Sequence, residues 1–98
     1  MVQDRNPEYF LAIASEKSIS KAAERLHISQ PYLSQYVIHL EKEFGVRLLD
    51  RTKSPLALTA AGKVYANYLE DSSQLYEQLL QDFTHHIVQS GDQPLQNS

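Results

Sequence analysis

Ninety-eight residues, 42% hydrophobic, 21% charged and without cysteine, leave room for one small domain and an accessory element, and exclude disulfides, thiolate metal sites and wholesale disorder. No run approaches the roughly 20 apolar residues of a membrane span, and the start, MVQDRNPEYF, lacks the basic-then-apolar order of a signal peptide, so a soluble cytoplasmic chain is expected. The net charge of −3 divides unevenly: residues 1–63 carry nine Lys and Arg against seven acids, whereas residues 64–98 carry five acids and no Lys or Arg. The front suits an anionic partner, and the back must face something else.

Asn6 is a good N-cap for a first helix, with Pro7 suited to its first position and Glu8 to its positive end. Phe10, Ile13 and Ala14 form an apolar stripe that lasts to about Glu16. Ser18 or Ser20 can cap a second helix with Ile19, Ala22, Ala23 and Leu26 inward, the alanines letting another helix cross close by. His27 and Ile28 make a short connection, with Ile28 turned into the core. Ser29 caps a third helix, and Pro31 falls in its first turn, where amides lack partners anyway. Leu33, Val37, Leu40 and Phe44 follow within roughly 40° of one another, a narrow core seam, and Gly45 is a natural left-handed terminator. Helix, tight turn and capped helix make a helix-turn-helix.

The opposite face of the third helix carries Gln30, Pro31, Ser34, Gln35, Ile38 and His39, with Tyr32 and Tyr36 on its flank. Amides can bond adenine in the major groove, apolar carbons can meet thymine methyls, and a capped helix start offers free amides to phosphate. On an isolated helix such a face is simply a solvated one; the helix-turn-helix setting makes it a candidate for reading bases. Beyond Gly45, VRLLDRT and LALT read as two short strands about a turn at Lys53-Ser54-Pro55, a β-hairpin wing with Arg51 and Lys53 at its tip. Either cation alone is as readily an ordinary surface charge.

The stretch SISKAAERLHISQPYLSQYVIHLEKEFGVRLLDRTKSPLALTAAG resembles the N-terminal DNA-binding region of LysR-type transcriptional regulators. The matches are the AAERLH segment, the SQP helix start, the LE before the helix end, GVRLL with Arg51, and LTAAG; with the flanking helices the resemblance covers about residues 6–88. It implies a mainly α fold: a winged helix-turn-helix of three helices plus a short hairpin wing, followed by a long dimerisation helix, with an effector-binding domain beyond. It also implies that Gln30, Pro31 and Gln35 approach bases while Ser20, Ser34, Arg51 and Lys53 face the backbone. Lys21 and Tyr32 are added here as backbone-facing candidates. Many members carry Arg where this chain has Gln35, so an amide-led reading and a modest affinity per domain are expected.

Three parts are thus expected: 1–58 as the winged domain, 59–89 as the long helix and 90–98, SGDQPLQNS, as a hinge or disordered tail. Thr59 caps the long helix, a rod of ~45 Å whose stripe cannot be buried on so small a domain. Tyr65, Leu69, Tyr76, Leu79, Leu80, Phe83 and Ile87 are therefore assigned to a homodimer interface, part of the stripe also packing on the first helix. Double-stranded DNA with an inverted repeat is the expected partner, and a longer form could assemble further. The chain is read either as a fragment or as a regulator without a sensor. No catalysis, cofactor, small-molecule site or metal is assigned, since the phosphate-loop and G-x-S-x-G motifs are absent and His85-His86 diverge by about 100° around their helix. The rival reading is a protein-interaction module with little DNA affinity.

Overall fold

The computed structural model describes residues 4–91, and of 87–90 the backbone alone. Helices α1 (Pro7–Glu16), α2 (Ile19–Leu26) and α3 (Gln30–Phe44) come first, then a hairpin of β1 (Leu49–Asp50) and β2 (Ala57–Leu58), then α4 (Ala60–Ser90). The strands pair antiparallel, Leu49 opposite Leu58 and Asp50 opposite Ala57. This is the expected winged helix-turn-helix with a long trailing helix.

Local chemistry sets the boundaries. The Ser18 Oγ accepts from the Lys21 amide at 3.1 Å and the Ser29 Oγ from the Tyr32 amide at 3.2 Å, each satisfying a donor that the helix start leaves free. Left-handed residues end the first three helices: Lys17 (φ 54°), His27 (φ 58°) and Gly45 (φ 74°). Asn6 departs from expectation. Its side chain makes no cap; its own amide donates instead to Asp4 Oδ1 at 3.0 Å.

The core gathers Phe10 and Ile13 of α1, Ala22 and Ala23 of α2, Leu33, Val37 and Leu40 of α3, and Leu48 and Leu49 before and within β1. Each large member contributes roughly 1.5–3 kcal/mol through burial, and the two alanines permit the close crossing of α2. In α1 the inner positions are Phe10, Ala12 and Ile13, with Ala14 only half-buried. The seam of α3 also differs from expectation, because Glu41 is buried at 8% exposure while Phe44 is 37% exposed. At the last position of α3 the Phe44 ring meets Tyr65 of α4 edge-on, centroids 5.0 Å apart, and leaves its other side to solvent.

Thr59 fastens α4 to the wing. Its amide donates to Leu48 O at 3.1 Å, its hydroxyl donates to Arg47 O at 2.6 Å, and the same Oγ1 accepts from the Gly62 amide at 3.0 Å. One turn on, Gly62 lies so near the chain that a Cβ there would stand 2.1 Å from Leu48 O. Tyr65 and Leu69 then enter the core at 9% and 6% exposure. Beyond them α4 leaves the domain, giving a molecule of 56 × 27 × 25 Å. Because a backbone carbonyl cannot yield to a methyl, Gly62→Ala should cost about 2 kcal/mol and lower the Tm by roughly 10 °C in a circular-dichroism melt. An unchanged Tm would contradict the close approach.

Candidate nucleic-acid interface

The start of α3 stands clear of the domain. Gln30, Pro31, Gln35, Ile38 and His39 are all exposed, and Ser34, half-buried between them, is the one proposed reading residue that is partly withdrawn. Tyr32, 57% exposed, leans edge-on against Tyr9 with centroids 6.4 Å apart, leaving its outer edge free beside the helix start. Ser20 and Lys21 are exposed at the start of α2, the Ser20 hydroxyl 3.2 Å from that of Ser18. His39 lies 3.8 Å from Glu43 across one turn, a solvated pair. The polar, apolar and aromatic groups expected on the reading face therefore share one open surface.

The wing depends on Glu41. Its Oε2 accepts from the amides of Leu48, at 2.8 Å, and Leu49, at 3.3 Å, satisfying the backbone where the chain turns from α3 into β1. Its Oε1 lies 3.5 Å from the Arg51 guanidinium and 3.9 Å from that of Arg47. Arg51 is thus not a free cation at the wing tip. It follows directly on β1, tethered at its inner side with 38% of its side chain exposed. Lys53 is exposed in the turn. Asp50 braces that turn by accepting from the Thr52 amide at 3.0 Å and from its hydroxyl. The Thr52 hydrogen bonds, with the charge of Lys53 adding, hold the Asp50 carboxyl below the usual carboxylate range.

A second carboxylate joins three segments distant in sequence. Asp4 Oδ2 accepts from Tyr36 Oη of α3 at 2.7 Å and from Tyr65 Oη of α4, while its Oδ1 holds the Asn6 amide. Tyr36 packs edge-on against Tyr9 at 5.3 Å, and the Tyr65 ring lies tilted against Phe10 at 5.1 Å. Burial, reinforced by the hydrogen bond to Asp4 and its charge, pushes both phenols above the ordinary tyrosine range. Nothing local in the sequence marks Asp4, since its partners lie 32 and 61 residues away. Glu41 did carry a signal, standing one turn after Val37 at the edge of the apolar seam.

The long helix divides its apolar residues. Tyr65 and Leu69, assigned from sequence to the dimer face, pack into the chain's own core and present only an edge to the groove between α1 and α4. Tyr76, Leu79, Leu80 and Phe83 stay 44–61% exposed, as do Val64, Tyr68 and Leu75 at 63–70%. The Ile87 side chain and the tail at 92–98 lie outside the described residues. Among those described, no group of three His, Cys, Asp or Glu could hold a metal, and no helix is long and apolar enough to cross a membrane.

A winged helix-turn-helix whose third helix turns a polar face to solvent defines a class of DNA-binding regulators. Residues 5–63 match the family described as bacterial regulatory helix-turn-helix protein, lysR family, and the chain belongs to it. The HTH-type transcriptional regulator AlsR of Bacillus subtilis is 50% identical over 64 residues, 65% of this chain and 21% of that protein. BenM of Acinetobacter baylyi, another HTH-type transcriptional regulator, is 41% identical over 64 residues, again 65% and 21%. The chain thus spans about a fifth of the length of these curated relatives. Among solved structures, the BenM DBD in complex with catB site 1 DNA superposes with a TM-score of 0.77 at 31% identity, covering 96% of this chain and 100% of that one. Vibrio fischeri DarR in complex with DNA gives 0.73 at 29% identity, over 87% and 29%.

The two raised phenols fix a pH dependence. Folded, Tyr36 and Tyr65 hold their protons more tightly than in the unfolded chain, which ionises near about pH 10. Their contribution is complete below that pH and is lost as pH rises above it. Urea unfolding should therefore show stability falling between about pH 9 and 11, and falling less steeply in the Tyr36→Phe/Tyr65→Phe variant. Equal slopes in the two proteins would refute the assignment.

Proposed function

We propose that this chain is the sequence-specific DNA-binding module of a LysR-type transcription regulator working in the cytoplasm, binding an inverted-repeat operator as a homodimer. Residues 1–58 form the DNA-binding unit, 59–89 the dimerisation helix and 90–98 the hinge. The observation that carries the reading is the outward face of α3, on which Gln30, Pro31, Gln35, Ile38 and His39 are exposed together at a capped helix start. In the major groove Gln30 and Gln35 would meet adenine edges and Ile38 thymine methyls, while Ser34 and His39 bond what lies alongside. Ser20, Lys21, Tyr32 and Lys53 would meet phosphates, and Arg51 would do so with its outer edge. The solved complexes of BenM and DarR with DNA support this use of the fold.

The dimer rests on α4. Leu11, Val46, Val64, Tyr68, Leu69 and Tyr76 are among the residues lining an apolar groove of about 1160 Å³ between α1 and α4. Further along α4, Leu79, Leu80 and Phe83 stay 44–56% exposed, and exposed apolar residues gathered beside such a groove mark an interaction surface. A second copy covers it and brings two reading helices to successive half-sites. The acids of α4 stay away from the polyanion. No residue is assigned a catalytic role.

One observation favours a protein-interaction module instead: Glu41 partly neutralises both Arg47 and Arg51, which leaves the interface weakly basic. Fluorescence anisotropy with inverted-repeat and scrambled duplexes at two salt concentrations separates the readings. Selective binding that weakens with salt is expected, with Arg51→Ala and Lys53→Ala each lowering the salt slope by about one for all sequences alike. No binding to any duplex at ~50 mM salt, where electrostatic attraction is strong, favours the interaction module. In the same preparation Leu79→Asp with Phe83→Asp should yield a monomer by light scattering; a persistent dimer moves the interface elsewhere.

A further inference from the structure

The geometry points to Asp4 as a positioning residue that sets the spacing between half-sites, by pinning the reading helix to the dimerisation helix; the inference rests on the dimeric DNA-binding reading above. The principal packing partners of these two helices differ. Helix α3 packs on α2, whereas α4 packs on α1 and β2. Among the described residues, direct ties between α3 and α4 include the Phe44 ring against Tyr65 and the Asp4 carboxylate that accepts from Tyr36 on one helix and Tyr65 on the other. A ring contact permits sliding. A single oxygen shared by two phenols does not, because hydrogen bonds weaken steeply as they bend.

Both donors are held in place. Tyr36 is half-buried against Tyr9, and Tyr65 is 9% exposed between Phe10 and Phe44. Each phenol keeps its proton well into the alkaline range, so each remains a donor wherever DNA binding is measured. Asp4 is itself fixed from the other side by the Asn6 amide, 3.0 Å from Oδ1, which ties it to the start of α1. One carboxylate therefore meets α1, α3 and α4.

The angle it fixes is amplified by length. From Tyr65 to Leu79 the helix runs about 21 Å, so a tilt of ~10° at the latch displaces the reading helix by ~4 Å, close to the ~3.4 Å rise of one base pair. Two-fold symmetry doubles the displacement. Small losses of angular definition thus blur half-site spacing while each half-site is still read by the same α3 side chains.

The test has two arms. The chain has no cysteine, so labels on Lys42→Cys of α3 and Gln74→Cys of α4, diluted with unlabelled chain, report the interhelical distance by pulsed dipolar spectroscopy. Duplexes carrying fixed half-sites at variable spacing report the preference. Wild type should give one narrow distance and one favoured spacing. Asp4→Ala should broaden the distance and reduce the preference for that spacing over one base pair more or fewer by about fivefold, with the half-site sequence and the dimer unchanged. Tyr65→Phe, which keeps the ring, should move both readouts the same way. A narrow distance in both variants, or a broad one with spacing preference intact, overturns the proposal. A wild-type chain that selects no duplex removes the DNA reading and the spacing claim together; selective variants with unaltered spacing remove the spacing claim alone.

Discussion

A carboxylate turned into the core decides where the wing stands. Taking Glu41 out of water costs several kcal/mol unless its oxygens are satisfied, and they are, by the amides of Leu48 and Leu49 and by the Arg51 guanidinium. Those partners begin the hairpin, so the last turns of the reading helix and the first strand share one electrostatic anchor. Removing the carboxyl leaves two inward amides without their acceptor and Arg51 without its tether. Among the described residues no buried side-chain oxygen or nitrogen lacks a partner, which is how a charge this deep is tolerated.

Everything C-terminal inherits that anchor. Leu48, whose amide meets Glu41, offers its carbonyl to Thr59 and its backbone to the close approach of Gly62. The direction in which α4 leaves the domain is thus set from the reading helix through the wing on one side, and through Asp4 and its two tyrosines on the other. The same arrangement explains the sparing use of charge. Arg47 and Arg51 lie beside Glu41 before either can serve a phosphate; on the proposed reading, base contacts would fall to the amides of Gln30 and Gln35, and pairing of two copies would multiply a modest attraction.

What the sequence disclosed was local. Ser18, Ser29 and Gly45 mark helix ends by chemistry that acts within a few residues, and Leu33, Val37 and Leu40 follow a period visible by inspection. The wing was legible as alternation around a turn, although its paired strands shrink to two residues each. The position of Glu41, one turn after Val37 on the seam, was visible, but not its role, because its principal partners are backbone amides, which carry no sequence signature. Asp4 escaped because its contacts span most of the chain, and it took the Asn6 amide with it where a side-chain cap was expected. Tyr65 and Leu69 were placed on the dimer face because an amphipathic stripe shows which side of a helix is apolar, not which stretch of it meets its own domain. Phe44 kept the period of the seam but stands at its end, where α4 rather than the core receives it.

On the proposed reading, two copies of α3 meet DNA in a fixed relation. Selection of bound duplexes from a random pool tests it most directly. Enrichment of an inverted repeat is expected, its half-sites ~34 Å or one helical turn apart, with adenine–thymine positions under Gln30 and Gln35. A pool that emerges without any enriched sequence, or with a single unrepeated half-site, would contradict it.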